Sequence, residues 1–405
     1  MNDMDIFYGN FEVEKEWSDP GIAKFPETSM QNWNSKLMEE LLYGIADEGV
    51  LLLHNSFNSQ FEDYLRAFDF TFKTEKIDDF KCEEIKNHVF HPYAIDQDFL
   101  NLIEKKRMEF PKLEDVIRVN SKVYSTAISG ELNCSKGSVV TSIEELRDLA
   151  ENYTYDFMLK EPAGVSGKGN LHLNSERQYR SIDRYLEKQI KAGKKLCLIV
   201  EPFLKINADF STQYVIHKNG SYEFICVRKI INKGVKYSGS CKADEKFVKW
   251  LLENGYFEVT ENIIKRLHQD GYWGNVCIDS AILDNNEIIP VIEINARKSM
   301  GIISYKIESH VLQEGASGSF RIIDIITQGE FDFSILKDML KSKGLLVEKK
   351  GDQGIFLASA NTYKCNNEHK KGRIYFYAIG SNLIEEEYYY EMVKKLLGEI
   401  KIVIC

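Results

Sequence analysis

Proline is scarce, at seven in 405 residues. Long disordered or polyproline linkers are therefore excluded, and a chain of this length has room for two or three domains with a large core. Basic charge is also short: the formal net charge is −10. A bulk nucleic-acid partner needs a basic face, so none is expected, although local clusters remain able to hold one nucleotide. The eight cysteines (82, 134, 197, 226, 241, 277, 365 and 405) form no C-x-x-C pair and no metal-ligand spacing. Buried reduced thiols account for those in apolar runs, such as Cys197 and Cys226. No stretch approaches a membrane span. Met1-Asn-Asp-Met-Asp-Ile has neither a basic nor an apolar leader pattern, so a cytoplasmic location is the expectation. The chain also lacks internal repeats, a Walker loop and G-x-G-x-x-G.

What is present centres on Gly271–Asp279 and Val291–Arg297. The two segments read as neighbouring strands joined by the polar turn Asp284-Asn-Asn-Glu287. Residues two apart on a strand share a face, so Glu293, Asn295 and Arg297 project together while the turn folds Asp279 back beside Glu293. Two carboxylates and an amide oxygen are hard ligands of the kind magnesium takes while it also holds nucleotide phosphates. Thr154–Asn170 adds a strand ending at Lys160 that runs into a loop with Gly164, Ser166, Gly167, Lys168 and Gly169. Glycines let backbone N–H groups turn toward an anion, and the lysines supply positive charge; a flexible surface loop is the plain alternative. Ile199–Leu204 is a strand broken at Glu201-Pro202, where backbone can face a planar ligand. Asp209 is placed to accept from a ribose hydroxyl. Lys122 is uninformative alone. Of Arg228 and Lys229, adjacent on one strand, Arg228 is taken as the contact for a substrate carboxylate or phosphate, against a surface pair on an edge strand.

Along the chain, residues 1–115 read as an α/β unit with 96–118 helical, and 116–204 as a second unit. Residues 205–318 carry antiparallel strands, including the acidic pair. Residues 319–405 read as a small α+β extension placed to cap the centre.

Taken in order, Lys122, Lys160 with Gly164–Asn170, Glu201 to Phe203, Asp279, and Glu293-Ile-Asn295-Ala-Arg297 resemble the ATP-grasp superfamily over residues 116–315. Residues 1–115 resemble its pre-ATP-grasp domain, and the nearest likeness is to carboxylate–amine ligases carrying one. The resemblance implies an α/β (α+β) fold: two α+β subdomains gripping ATP behind a Rossmann-like domain. It implies that Lys122 and Lys160 contact ATP phosphates and that Ser166, Gly167 and Lys168 close as a lid. Glu201 and Phe203 would hold adenine, with Asp209 near the ribose. Asp279, Glu293 and Asn295 would ligate magnesium, two ions with manganese as a substitute, and Arg297 would stabilise the acyl phosphate. Asp279 stands where many relatives have glutamate, and Lys298-Ser-Met-Gly301 departs from the best-known branches. The function expected is amide formation between a small carboxylic acid and an amine, through an acyl phosphate. The alternatives are a carrier-protein thiol as acceptor, or a nucleotide-binding module without ligation chemistry. A homodimer is one arrangement open to an enzyme of this size.

Overall fold

The structure is a computed structural model and describes residues 4–26, 35–80, 89–104, 108–132, 134, 137–164, 169–234, 236–366 and 369–405. Strands β1 (Asp5–Tyr8), β2 (Val50–Leu53), β3 (Lys73–Lys76) and β4 (Val89–Pro92) form a parallel sheet in the order β3-β2-β1-β4. All four residues of β2 are buried, as an apolar run covered on both faces must be. The segment expected to be one helix over 96–118 holds two, Gln97–Ile103 and Leu113–Val119. Pro111 explains the break, since it lacks an N–H and disfavours helical backbone at Phe110.

A second, antiparallel sheet holds β5 (Ser138–Val140), β6 (Phe157–Lys160), β7 (Asn170–Leu173) and β8 (Leu198–Pro202), in the order β5-β8-β6-β7. The helix Ile143–Asn152 beside it begins with a full capping box, Ser142 and Glu145 satisfying each other's backbone N–H groups. The core under this sheet takes in Ala23 and Phe25 from far upstream, both buried.

The largest sheet contains β9 (Ile206–Ile216), β10 (Tyr222–Lys233), β11 (Lys236–Lys242), β12 (Gly274–Leu283), β13 (Ile288–Asn295), β14 (Ser317–Ile326), β15 (Gly354–Leu357) and β16 (Lys371–Gly380). Its order is β13-β12-β9-β10-β11-β14-β16-β15, with β17 (Val403–Ile404) against β14. The C-terminal extension thus lengthens the central sheet through the β11–β14 pairing. Apolar residues dominate β14 to β16, which share one core with the helix Met300–Val311 and with the N-terminal aromatics Tyr43, Phe61, Phe68 and Phe70. Among the described residues no helix is long and apolar enough to cross a membrane.

Glu40 pins the two ends of the chain together. Its buried carboxylate accepts the backbone N–H groups of Ala360, Asn361 and Thr362, at 3.0, 3.0 and 3.1 Å. Burial lifts its carboxyl to about 7 against the pull of those donors. Replacing Glu40 with Ala orphans three buried N–H groups and should cost about 2–4 kcal/mol in a denaturant titration. Glu40→Gln, which keeps one acceptor oxygen, should fall between. Wild-type stability in the alanine variant would show that the pin contributes nothing.

Candidate functional site

β12 and β13 pair with Asp279 directly opposite Glu293 and Cys277 opposite Asn295. The positive φ of Asn286 makes the turn between them tight. Glu293, Asn295 and Arg297 lie on one face, as period-two geometry requires, and border a cleft of about 700 Å³ together with Asp279. From the second sheet, Lys160, Met158, His172, Glu201 and Phe203 line the same cleft, and Asp209 at the start of β9 completes that end. The lysine-bearing strand and the acidic hairpin therefore face one space.

Lys160 and Arg297 in it, and Lys122 behind Glu293, are held by acids. Lys160 pairs with Glu201 across β6 and β8. Lys122, the first residue of the helix Lys122–Glu131, is buried, and its Nζ donates to Glu293 Oε1 at 2.9 Å and to the Gly164 carbonyl at 2.8 Å. Arg297, only 8% exposed, donates from Nη1 to the Tyr93 hydroxyl at 2.9 Å and from Nη2 to Asn295 Oδ1 at 3.0 Å. Its Nη2 also lies 2.7 Å from Glu14 Oε1. At the far end Phe203 stacks on His172, ring centres 3.7 Å apart at 10°. Asp209 accepts from Asn232 Nδ2 at 2.7 Å, and burial raises its carboxyl above the ordinary range.

Arg228 is a correction. It points to the same side of β10 as Ile230, which lines the cleft, but lies one residue pair deeper. Its side chain is fully enclosed and bonds Glu308 of the helix Met300–Val311 at 2.5 Å. A charge so paired fastens that helix to the sheet, and Arg228 is not among the residues lining the cleft. Lys229 instead bonds Asp244 at 2.6 Å. Ser166, Gly167 and Lys168 lie outside the described residues. Glu14, His172, Asn232 and Tyr93 were not singled out in the sequence, because each joins the site through contacts far apart in the chain.

No protein-family model matches the chain. A curated relative, the [butirosin acyl-carrier protein]–L-glutamate ligase of Niallia circulans, is 23% identical over 275 residues, which cover 64% of this chain and 63% of that protein. The match thus spans less than two thirds of the relative. Among solved structures, N5-carboxyaminoimidazole synthetase from Staphylococcus aureus, complexed with ADP, superposes with a TM-score of 0.56 at 11% identity, covering 98% of each chain. The biotin carboxylase domain of Hydrogenobacter thermophilus 2-oxoglutarate carboxylase, in complex with magnesium ADP, ADP and bicarbonate, gives 0.56 at 13%, over 100% of this chain and 91% of that one. Thermotoga maritima phosphoribosylamine–glycine ligase gives 0.55 at 13%, over 100% and 97%. The chain has the ATP-grasp fold.

An ATP-grasp fold implies magnesium, and the residues present suit it. Burial, with the Glu293 charge adding, lifts the Asp279 carboxyl to about 7. Two carboxylates crowded in this way lack a full cation partner, since Lys122 answers only Glu293. Among the described residues no cluster of three or more His, Cys, Asp or Glu side chains surrounds a point.

A carboxyl raised in the folded state binds protons there that the unfolded chain has released. Its stability contribution therefore declines as pH climbs from about 4 through 7. Asp279→Asn should raise the ligand-free melting temperature at pH 8 by about 1–3 °C, with the gain shrinking toward zero as pH falls to about 4. A variant less stable than wild type at pH 8 would contradict the crowding.

Proposed function

We propose that the protein is an ATP-dependent carboxylate–amine ligase. It activates a small carboxylic acid as an acyl phosphate and passes the acyl group to an amine, releasing ADP and phosphate. The observation that carries this reading is the meeting of Lys160, Asp279, Glu293, Asn295 and Arg297 around one cleft in an ATP-grasp fold.

A carboxylate does not react with an amine in water, because its leaving group would be oxide. Phosphorylation supplies a good leaving group, and the protein's part is positioning and charge neutralisation. Phe203 and His172 border the apolar end of the cleft, where the adenine fits beside Glu201, with Asp209 toward the ribose. Lys160 and Lys122 turn from Glu201 and Glu293 to the phosphates. Asp279, Glu293 and Asn295 would hold magnesium, or manganese with its similar preference for oxygen. The metal supplies charge neutralisation on the phosphate oxygens. Arg297, held by Tyr93 and Asn295, presents a fixed positive charge to the transferring phosphoryl group.

A second reading changes only the acceptor, to a carrier-protein thiol. The curated relative favours it, since its name couples an acyl-carrier protein to L-glutamate. The acidic net charge stands mildly against docking an acidic carrier protein.

Amino acids and small carboxylates, L-glutamate among them, should be screened alone and in pairs for ADP release, with mass spectrometry of products. Amide products support the first reading, and acyl mass added to a carrier protein the second. Glu293→Ala should lower ADP release at least about 100-fold. Full release in that variant would remove Glu293 from the metal site.

A further inference from the structure

A second cavity, about 520 Å³, lies beside the nucleotide cleft, and the two share Glu293 and Asn295 as lining residues. One wall is a strap, residues 17–24, that leaves the N-terminal unit and crosses to the second sheet's subdomain. There Ile22 bridges Lys195, and the Ala23 N–H bonds the Lys195 carbonyl at 2.9 Å. Gln189 donates to the Lys24 carbonyl at 2.7 Å, and the Phe25 N–H reaches the Glu161 carboxylate at the base of the glycine-rich loop, at 2.5 Å. Facing the strap is the first part of the helix Lys122–Glu131, with Val123 and Tyr124.

We propose that this second chamber seats the acceptor amine, with Glu14 as the residue that receives it. The inference rests on the ligase reading and names where its nucleophile sits. The nucleotide fills the larger cleft, so a second reactant must reach the metal-bearing strand by another way, and this cavity ends on the same two side chains. Its wall is mainly apolar, with Trp17, Ile22, Ile117 and Val123. Such surroundings strip water from an ammonium and weaken its hold on a proton. Most other charged groups facing the chamber are engaged elsewhere: Arg118 with Asp115, Lys24 with Ser18, Asp19 with the Gly21 N–H, and Glu161 with the strap. The Tyr124 hydroxyl donates to Asp270. Glu14 Oε1 lies 2.7 Å from Arg297 Nη2, and Arg297 in turn donates to Asn295, so Glu14 is linked through one side chain to the proposed metal ligands.

The step balances. The ammonium passes one proton to the Glu14 carboxylate, and the freed nitrogen pair forms the C–N bond. The carbon–oxygen bond to phosphate breaks, and phosphate leaves with that electron pair and the second proton.

The test compares transfer to an amine with transfer to hydroxylamine, which is mostly neutral at pH 7 and small enough to need no seat. Glu14→Gln should lower the amide-to-hydroxamate ratio about 100-fold at pH 7, with recovery as pH rises toward the amine's own pKa. Ala127→Trp, at an exposed position on the cavity rim, should raise KM for the amine about tenfold relative to KM for ATP. If wild type yields hydroxamate and both variants keep the wild-type ratio and KM split, the chamber proposal is overturned and the ligase reading stands. If hydroxamate formation and amide formation fall together in Glu14→Gln with no recovery at high pH, Glu14 acts only by holding Arg297, and the proposal is overturned. If wild type yields no hydroxamate with any acid, both fall.

Discussion

Two carboxylates placed directly across a strand pair set the terms for the rest of this molecule. Asp279 and Glu293 repel each other in a partly dry cleft, and burial alone would neutralise one of them. Partial compensation comes from nearby donors, with Asn295 Nδ2 donating to Asp279 at 2.9 Å. Lys122 reaches Glu293 from a helix start, and Arg297 stands two residues beyond Asn295. Several nearby charges are matched in pairs within the protein: Lys160 with Glu201, Lys122 with Glu293 and Arg297 with Glu14.

The scaffold explains why those pairs hold their places. Arg228 and Glu308 bind the helix Met300–Val311 to β10, and breaking such a buried pair typically costs about 3–5 kcal/mol. That helix follows directly on Arg297, so its seating sets where the arginine points. Its N-cap, Ser299, also bonds Gln213 at 2.6 Å, and Gly301 is needed there because a Cβ would lie 2.6 Å from the Gln213 amide nitrogen. The N-terminal unit contributes through Tyr93 and Glu14, so the Arg297 end of the cleft depends on segments distant in the chain.

The acidic hairpin was legible because its signal is local: a two-residue period, a polar turn and apolar residues between. The strand ending at Lys160 was legible for the same reason. Arg228 shows the limit. Alternation gave its side of the strand, but depth depends on the helix packed above, and nothing nearby in the sequence announces Glu308 as a partner. Glu14 had no signal at all, since one acid among several on a short helix is singled out only by what it faces. In the C-terminal extension the strands near 354–360, 372–379 and 401–404 carry a local signal, but Ser317–Ile326 was not singled out, and the union with the central sheet rests on its β11–β14 pairing, made by segments about 80 residues apart.

The most direct measurement is a crystal structure of the protein with magnesium and a non-hydrolysable ATP analogue. The account predicts phosphates lying between Lys160 and the Asp279–Glu293 pair, a metal within bonding distance of both carboxylates, and adenine beside Phe203. A nucleotide bound anywhere else, or a cleft too narrow to admit one with Lys160 still turned to Glu201, would contradict it.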